Sequence, residues 1–293
     1  MGPVVQRERQ ARLLSAPART TLAVWGDPIG HSRSPQLHGA AYRALGLDWT
    51  YGRRQVSAAD FAETLSSLDA TWRGLSLTMP LKAVAFAAAV ERDRRAELTG
   101  AVNTLLLEPG GPRGFNTDIG GIVRSLRDEG VEGVERGRIV GAGATATSAL
   151  VALSELGARQ VDIVARRPEA VATLAELGQH LGIDIRSAPF TADAHAPVSV
   201  TIATLPGDAP VTDAAADALA RDGGLLLDVV YGHWPTVLSG AWGRAGHPAV
   251  SGLGMLLHQA LLQVRVFTSG SADVAVDDEE AVLAAMRSAI VGD

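Results

Sequence analysis

A single lysine, Lys82, stands in this 293-residue chain against 25 arginines. Codon bias accounts for a general replacement of Lys by Arg, and the survivor could be chance. The chemistry still differs: an amine can release its proton inside a protein, whereas a guanidinium effectively cannot. Lys82 is therefore a candidate for proton transfer. Polar clusters accompany it in the first 120 residues: Ser32-Arg33-Ser34-Pro35, Thr78-Met79-Pro80-Leu81-Lys82, Asn103-Thr104 and Asn116-Thr117-Asp118. Singly, Ser-Pro and Asn-Thr pairs are usually caps and turns. Together they supply hydroxyls, amides, one amine and one carboxylate, the surroundings that a polyhydroxylated acid needs. A second chemistry is suggested by Gly141-Ala142-Gly143-Ala144-Thr145-Ala146, which fits G-x-G-x-x-G/A. There the first Gly allows a tight turn, the second lets backbone approach a pyrophosphate, and the small third residue allows close helix–strand packing. The diphosphate then faces the amides and positive end of the following helix.

These residues need elements to hold them. TLAVWG (21–26), WTYGRRQV (49–56) and WRGLSLTMP (72–80) read as strands. A helix is expected through about 37–46, ending at Gly46, and another over SAADFAETLSSL (57–68), opened by a Ser cap. LKAVAFAAAVERDRRAEL (81–98) reads as one long helix with Lys82 in its first turn. GAVNTLLLE and RGFNTD form a strand, turn and strand, and 119–136 a helix and polar turn where the domain junction falls. The Gly-rich turn then lies in a strand–turn–helix–strand run over 136–167. Strands follow at 199–205 and 224–231, and helices at 251–267 and 277–290. Alternating β and α is the pattern of a layered α/β protein.

The end of the strand after the Gly-rich helix bears on cofactor choice. An NAD site usually carries Asp or Glu there, whereas this chain has Ala165-Arg166-Arg167. Two guanidiniums suit a 2′-phosphate through charge and bidentate hydrogen bonds. NADP is preferred and NAD is the alternative, since Arg166 and Arg167 could also be simply solvated.

Composition narrows the remaining classes. With 47% hydrophobic and 20% charged residues the chain can bury a core. A net charge of −6 disfavours nucleic acid as a partner. Cysteine is absent, which removes disulfides and thiolate metal sites and agrees with a cytoplasmic location. No His-x-x-x-His or carboxylate cluster suggests a metal, so none is expected. No apolar run approaches the roughly 20 residues of a spanning helix, so no membrane partner is expected. Residues 1–20 carry four arginines before position 20 and read as a flexible extension.

The motifs GDPIGHSRSPQLH, GLSLTMPLK, TGAVNTL, GFNTD, GAGATA, DVVY and GLGMLLHQA occur in this order along the chain. In order and spacing the sequence resembles the shikimate dehydrogenase family from about residue 21 to 270. The resemblance implies an α/β protein with an N-terminal substrate domain (21–120), a Rossmann-type NADP-binding domain (121–252), and C-terminal helices (253–293) packing back on the first domain. It implies reversible reduction of 3-dehydroshikimate to shikimate, with Lys82 as acid/base and Asp118 in its hydrogen-bond network. Ser32 and Ser34 would bind the substrate carboxylate, Thr78, Asn103 and Gln259 its ring hydroxyls, and Tyr231 would sit near the carboxylate and the nicotinamide. The cofactor would meet Gly141, Ala142, Gly143, Ala144, Thr145, Arg166, Arg167, Thr204, Val229 and Gly252. The implied partner is the small-molecule substrate, and the protein would be a monomer or homodimer. Departures from the family pattern gather on the cofactor side: Ala144 replaces a third Gly, and Ala165-Arg166-Arg167 and Ile202-Ala203-Thr204 replace Asn-Arg-Thr and Asn-Ala-Thr. On the substrate side Gly39 and Ser76 replace Asn. An NAD-dependent quinate/shikimate enzyme, a paralogue acting on a shikimate analogue, and a catalytically silent regulator are the alternatives.

Overall fold

The computed structural model describes residues 20–166, 169–190, 195–232 and 234–291. Residues 1–19 of the expected extension and Arg167 lie outside them, and Thr20 already belongs to the first strand.

The first half of the chain builds a six-stranded sheet from β1 (Thr20–Gly26), β2 (Trp49–Gln55), β3 (Trp72–Leu77), β4 (Glu91–Arg92), β5 (Thr104–Leu106) and β6 (Arg113–Phe115). Their order is β2-β1-β3-β5-β6-β4. β1 pairs in parallel with both β2 and β3, whereas β5 runs antiparallel to β3 and β6. This mixture places the polar clusters together. The carboxyl ends of β1 and β3 point the same way, so the loops that follow them emerge at one edge. Because β5 is reversed, its start reaches the same edge: the amide of Leu77 donates to the carbonyl of Asn103 at 2.7 Å, and the amide of Asn103 donates to the carbonyl of Phe115 at 3.0 Å. The helices here are α1 (Ser34–Ala44), α2 (Phe61–Ser66), α3 (Lys82–Ala88), α4 (Arg94–Thr99) and α5 (Asp118–Asp128).

One expectation is corrected. Residues 81–98 are not a single helix but α3, β4 and α4 in succession. The break has local causes. Ala89 is extended, the amide of Val90 donates to the carbonyl of Pro112, and Glu91–Arg92 pairs in parallel with Arg113–Gly114. The Asp93 carboxylate then caps α4 by accepting from the amide of Ala96 at 2.7 Å. A strand-pairing opportunity and an N-cap outweigh continuous helix propensity.

The second sheet is wholly parallel: β12 (Ala249–Ser251), β11 (Leu225–Asp228), β10 (Val200–Ala203), β7 (Arg136–Val140), β8 (Gln160–Val164) and β9 (Asp184–Ala188), in that spatial order. Read from its own first strand, this is the 3-2-1-4-5-6 order of a dinucleotide-binding fold, and ligands bind such sheets at the carboxyl ends where the order reverses. That point lies between β7 and β10. α6 (Ala144–Glu155), α7 (Glu169–Leu181), α8 (Asp213–Ala220) and α9 (Val237–Ala245) complete this half. The expected α/β class with a Rossmann-type half stands.

α10 (Leu253–Ser269) returns to the first sheet and α11 (Glu279–Val291) lies against α1. α10 is buried along most of its length and packs against α5, where Gly121 permits the approach. A Cβ there would sit 2.8 Å from both the Met255 carbonyl oxygen and the Gln259 Cβ. α5 and α10 thus hold Asp118 and Gln259 in a fixed relation.

Candidate active site

β3 ends at Leu77, and the turn over Thr78–Leu81 delivers Lys82 as the first residue of α3. The turn is pinned at both ends: the amide of Thr78 donates to the carbonyl of Trp25 at 3.0 Å, and the amide of Leu81 to that of Thr78 at 2.8 Å. Leu81 is fully buried and anchors it. Asp118 opens α5, its amide donating to the Asn116 side-chain oxygen at 3.1 Å. A carboxylate is favoured at a helix start by the exposed amides and the macrodipole.

The two meet. Lys82 Nζ donates to Asp118 Oδ2 at 2.6 Å, with side chains 16% and 9% exposed. Asp118 Oδ1 accepts from Asn103 Nδ2 at 2.8 Å. The ammonium is thus held on one side and open to a cavity on the other. That cavity, of about 230 Å³, contains all eight residues expected to bind substrate: Ser32, Ser34, Thr78, Lys82, Asn103, Asp118, Tyr231 and Gln259. Ser32 and Ser34 are buried and adjacent, the amide of Ser34 donating to Ser32 Oγ at 3.3 Å. Burial pushes the Tyr231 phenol up, with Arg33 pulling the other way, so its hydroxyl is a donor near neutral pH.

A larger cleft of about 500 Å³ adjoins the cavity and shares Thr78, Lys82 and Thr145 with it. Gly141, Ala142, Gly143, Ala144, Arg166 and Thr204 line the cleft. Gly141 has φ +120°, a conformation that needs glycine, and a Cβ would sit 2.5 Å from Thr204 Oγ1. Gly143 has open space where a Cβ would be, at the N-terminus of α6. Backbone amides at a helix start, open space beside them and a guanidinium at the next strand's end suit a phosphorylated dinucleotide. Val229 and Gly252, expected on the cofactor side, line the smaller cavity. Gly252 is required by packing, since a Cβ would collide with the Val229 carbonyl. Among the described residues no group of three or more His, Asp or Glu could hold a metal, and no helix is long and apolar enough to cross a membrane.

Sequence reasoning missed Gln263 and noted Ser76 only as a departure from the family pattern, yet both line the cavity. The signal was present. Ser76 is two residues before Thr78 along the strand, and Gln263 is one helical turn after Gln259. Behind Gln263 lies His38, fully buried, with its ring stacked on Tyr51 at 4.0 Å. Burial pushes its imidazole down to about 3, against the opposing effect of a hydrogen bond to Gln263. Between the ordinary value of 6.5 and about 3, the unfolded chain binds a proton here that the folded chain does not. The stability this confers is complete above pH 6.5 and is lost as pH falls through that window. Urea titrations from about pH 7 to about pH 4 should show unfolding free energy falling more steeply in the wild type than in His38→Gln, by up to about 1.4 kcal/mol per pH unit. Equal slopes would show that His38 titrates normally.

Comparison with known proteins agrees with this arrangement. Residues 24–105 match the shikimate dehydrogenase substrate-binding domain. The shikimate dehydrogenase (NADP(+)) of Mesorhizobium japonicum is 37% identical over 247 residues, covering 81% of this chain and 86% of the relative. The crystal structure of Mycobacterium tuberculosis shikimate dehydrogenase superposes with a TM-score of 0.81 at 41% identity, covering 92% of this chain and 99% of that one. The Thermus thermophilus shikimate 5-dehydrogenase, solved in complex with NADP(H) and shikimate, gives a TM-score of 0.76 at 27% identity, covering 92% and 99%.

Proposed function

The chain belongs to the shikimate dehydrogenase family, and on that premise we propose that it catalyses the reversible, NADP-dependent reduction of 3-dehydroshikimate to shikimate. The observation that carries this reading is the Lys82–Asp118 pair at the junction of a small polar cavity and a dinucleotide cleft. When bound in the cleft, the reduced nicotinamide supplies the hydride that the carbonyl carbon accepts. The protein's part is the proton. As charge develops on the substrate oxygen, the Lys82 ammonium stabilises it and donates a proton, becoming a neutral amine. In the oxidative direction the amine takes the hydroxyl proton back. Asp118 holds the ammonium through Oδ2 and Asn103 through Oδ1, so the donor is oriented before substrate arrives.

Ser32 and Ser34 bind the carboxylate, and Thr78, Asn103 and Gln259 bind ring hydroxyls, with Tyr231 near the carboxylate. Gly141 to Thr145 cradle the diphosphate, with Thr204, Val229 and Gly252 completing the cofactor's surroundings. Arg166 takes the 2′-phosphate; Arg167, given the same role, lies outside the described residues. Residues 21–120 form the substrate domain and 121–252 the cofactor domain, with 253–293 returning to the first. The protein works in the cytoplasm, as a monomer or homodimer.

Steady-state rates with shikimate and quinate, each with NADP+ and NAD+, test the reading: shikimate with NADP+ should give the highest kcat/KM, and best turnover of quinate with NAD+ would overturn it. A charge-assisted bond is worth about 1.5–3 kcal/mol, so Arg166→Ala should raise KM for NADP+ about ten-fold or more while leaving KM for NAD+ nearly unchanged. Equal effects on the two cofactors would remove Arg166 from 2′-phosphate recognition.

A further inference from the structure

Gln263 sits on α10 at 2% exposure and every hydrogen-bonding valence of its amide is used inside the protein. Its Oε1 accepts from Ser76 Oγ at 2.8 Å and faces His38 Nε2 at 3.2 Å. Its Nε2 donates to the Asn103 carbonyl at 3.1 Å and to Thr104 Oγ1 at 3.0 Å. An amide has two acceptor and two donor positions, so Gln263 has none left for a ligand although it lines the cavity. Its function must pass through its partners.

The direction of each bond follows from donor inventory. Tyr51 donates to Ser76 Oγ at 2.6 Å, which leaves the Ser76 hydrogen for Gln263 Oε1. The Asn103 backbone carbonyl can only accept, so Gln263 presents its NH2 there and its oxygen to His38 Nε2. The neutral ring therefore carries its proton on Nε2, toward the Gln263 oxygen, and its bare Nδ1 accepts from the Tyr42 hydroxyl at 3.1 Å. With its oxygen so fixed, Gln263 presents NH2 to Thr104, whose hydroxyl hydrogen is then directed to Asn103 Oδ1 at 2.8 Å. Asn103 Oδ1 also accepts from the Thr117 amide at 2.9 Å. The Asn103 amide is thereby forced to present NH2, not oxygen, to Asp118.

We infer that Gln263 is a positioning residue for the reaction: through Thr104 and the Asn103 carbonyl it braces the Asn103 side chain, whose facing the Thr117 amide fixes, and so holds the Asp118–Lys82 pair in its working geometry. His38 and Ser76 stand behind it and fix its own orientation. The inference rests on the functional reading above, because it takes Lys82 as the proton donor.

The test is kcat for Gln263→Leu in the wild-type and Asp118→Asn backgrounds, normalised to folded sites by NADP+ titration. In the wild-type background kcat should fall about 10- to 100-fold with KM for NADP+ unchanged, since small misplacements of catalytic groups have effects of that order. In the Asp118→Asn background the same substitution should remove less than about three-fold more, because the interaction it supports is already gone. A loss of the same factor in both backgrounds, or a loss below about three-fold in the first, would overturn the inference. If Gln263→Leu does not fold, Thr104→Val removes only the middle link, and the same contrast between non-additive and additive losses decides. The wild-type rate with shikimate and NADP+ separates the two failures: a failed functional reading abolishes it, and a failed positioning role leaves it intact.

Discussion

Lys82→Ala should lower kcat for shikimate oxidation with NADP+ by about 10²- to 10⁴-fold, the range for removing a positioned general acid–base. Affinity should suffer less. Among the residues around the cavity, Ser32, Ser34, Asn103 and Gln259 remain to hold the carboxylate and hydroxyls. The loss should therefore fall on kcat and kcat/KM together, the signature of an interaction made mainly in the transition state. Lys82 opens α3 with its side chain mostly buried but paired at Nζ alone, so truncation leaves the helix intact. Circular dichroism and NADP+ binding should match the wild type. A variant with near-normal kcat would place the proton donor elsewhere.

Asp118→Asn should lower kcat by about 100-fold, because it misplaces both neighbours at once. The carboxylate has two acceptor oxygens and faces two donors, Lys82 Nζ and Asn103 Nδ2. An amide offers one oxygen and one NH2. Whichever way it turns, one donor meets another donor, and a buried donor left unpaired costs about 1–3 kcal/mol. The same substitution removes the charge that holds the ammonium. It should also lower stability to urea by about that amount. Unchanged kcat would mean that Asp118 is only a helix-start carboxylate.

The residues of the site were more legible than their support. Lys82, Asp118, Asn103 and the Gly141 turn announce themselves because proton transfer and diphosphate binding restrict residue type at each position. The structure gathers them because β1 and β3 are parallel and β5 is reversed, which is a matter of pairing that one sequence does not state. Residues 81–98 misled because their Ala-rich run has helical propensity throughout; the pairing of Glu91–Arg92 with Arg113–Gly114 lies over twenty residues away. β9 and β12 carried little signal. DIRSA is largely exposed at a sheet edge, and AVS is three residues long. Gln263, and the part that Ser76 plays, went unread for another reason. Both act on polar groups already in the site, and buried polar side chains in apolar elements look like ordinary helix and strand positions until their partners are seen.

Lys82 moves a proton and does not merely supply charge. Lys82→Arg separates the two, since arginine keeps the cation and effectively never releases its proton. The decisive measurement is kcat for Lys82→Arg at saturating shikimate and NADP+, normalised to folded sites by cofactor titration. The expected result is a loss of about 100-fold or more with cofactor binding intact. Turnover within about three-fold of the wild type would contradict the assignment, because a residue that cannot cycle a proton would then be doing the work of one that can.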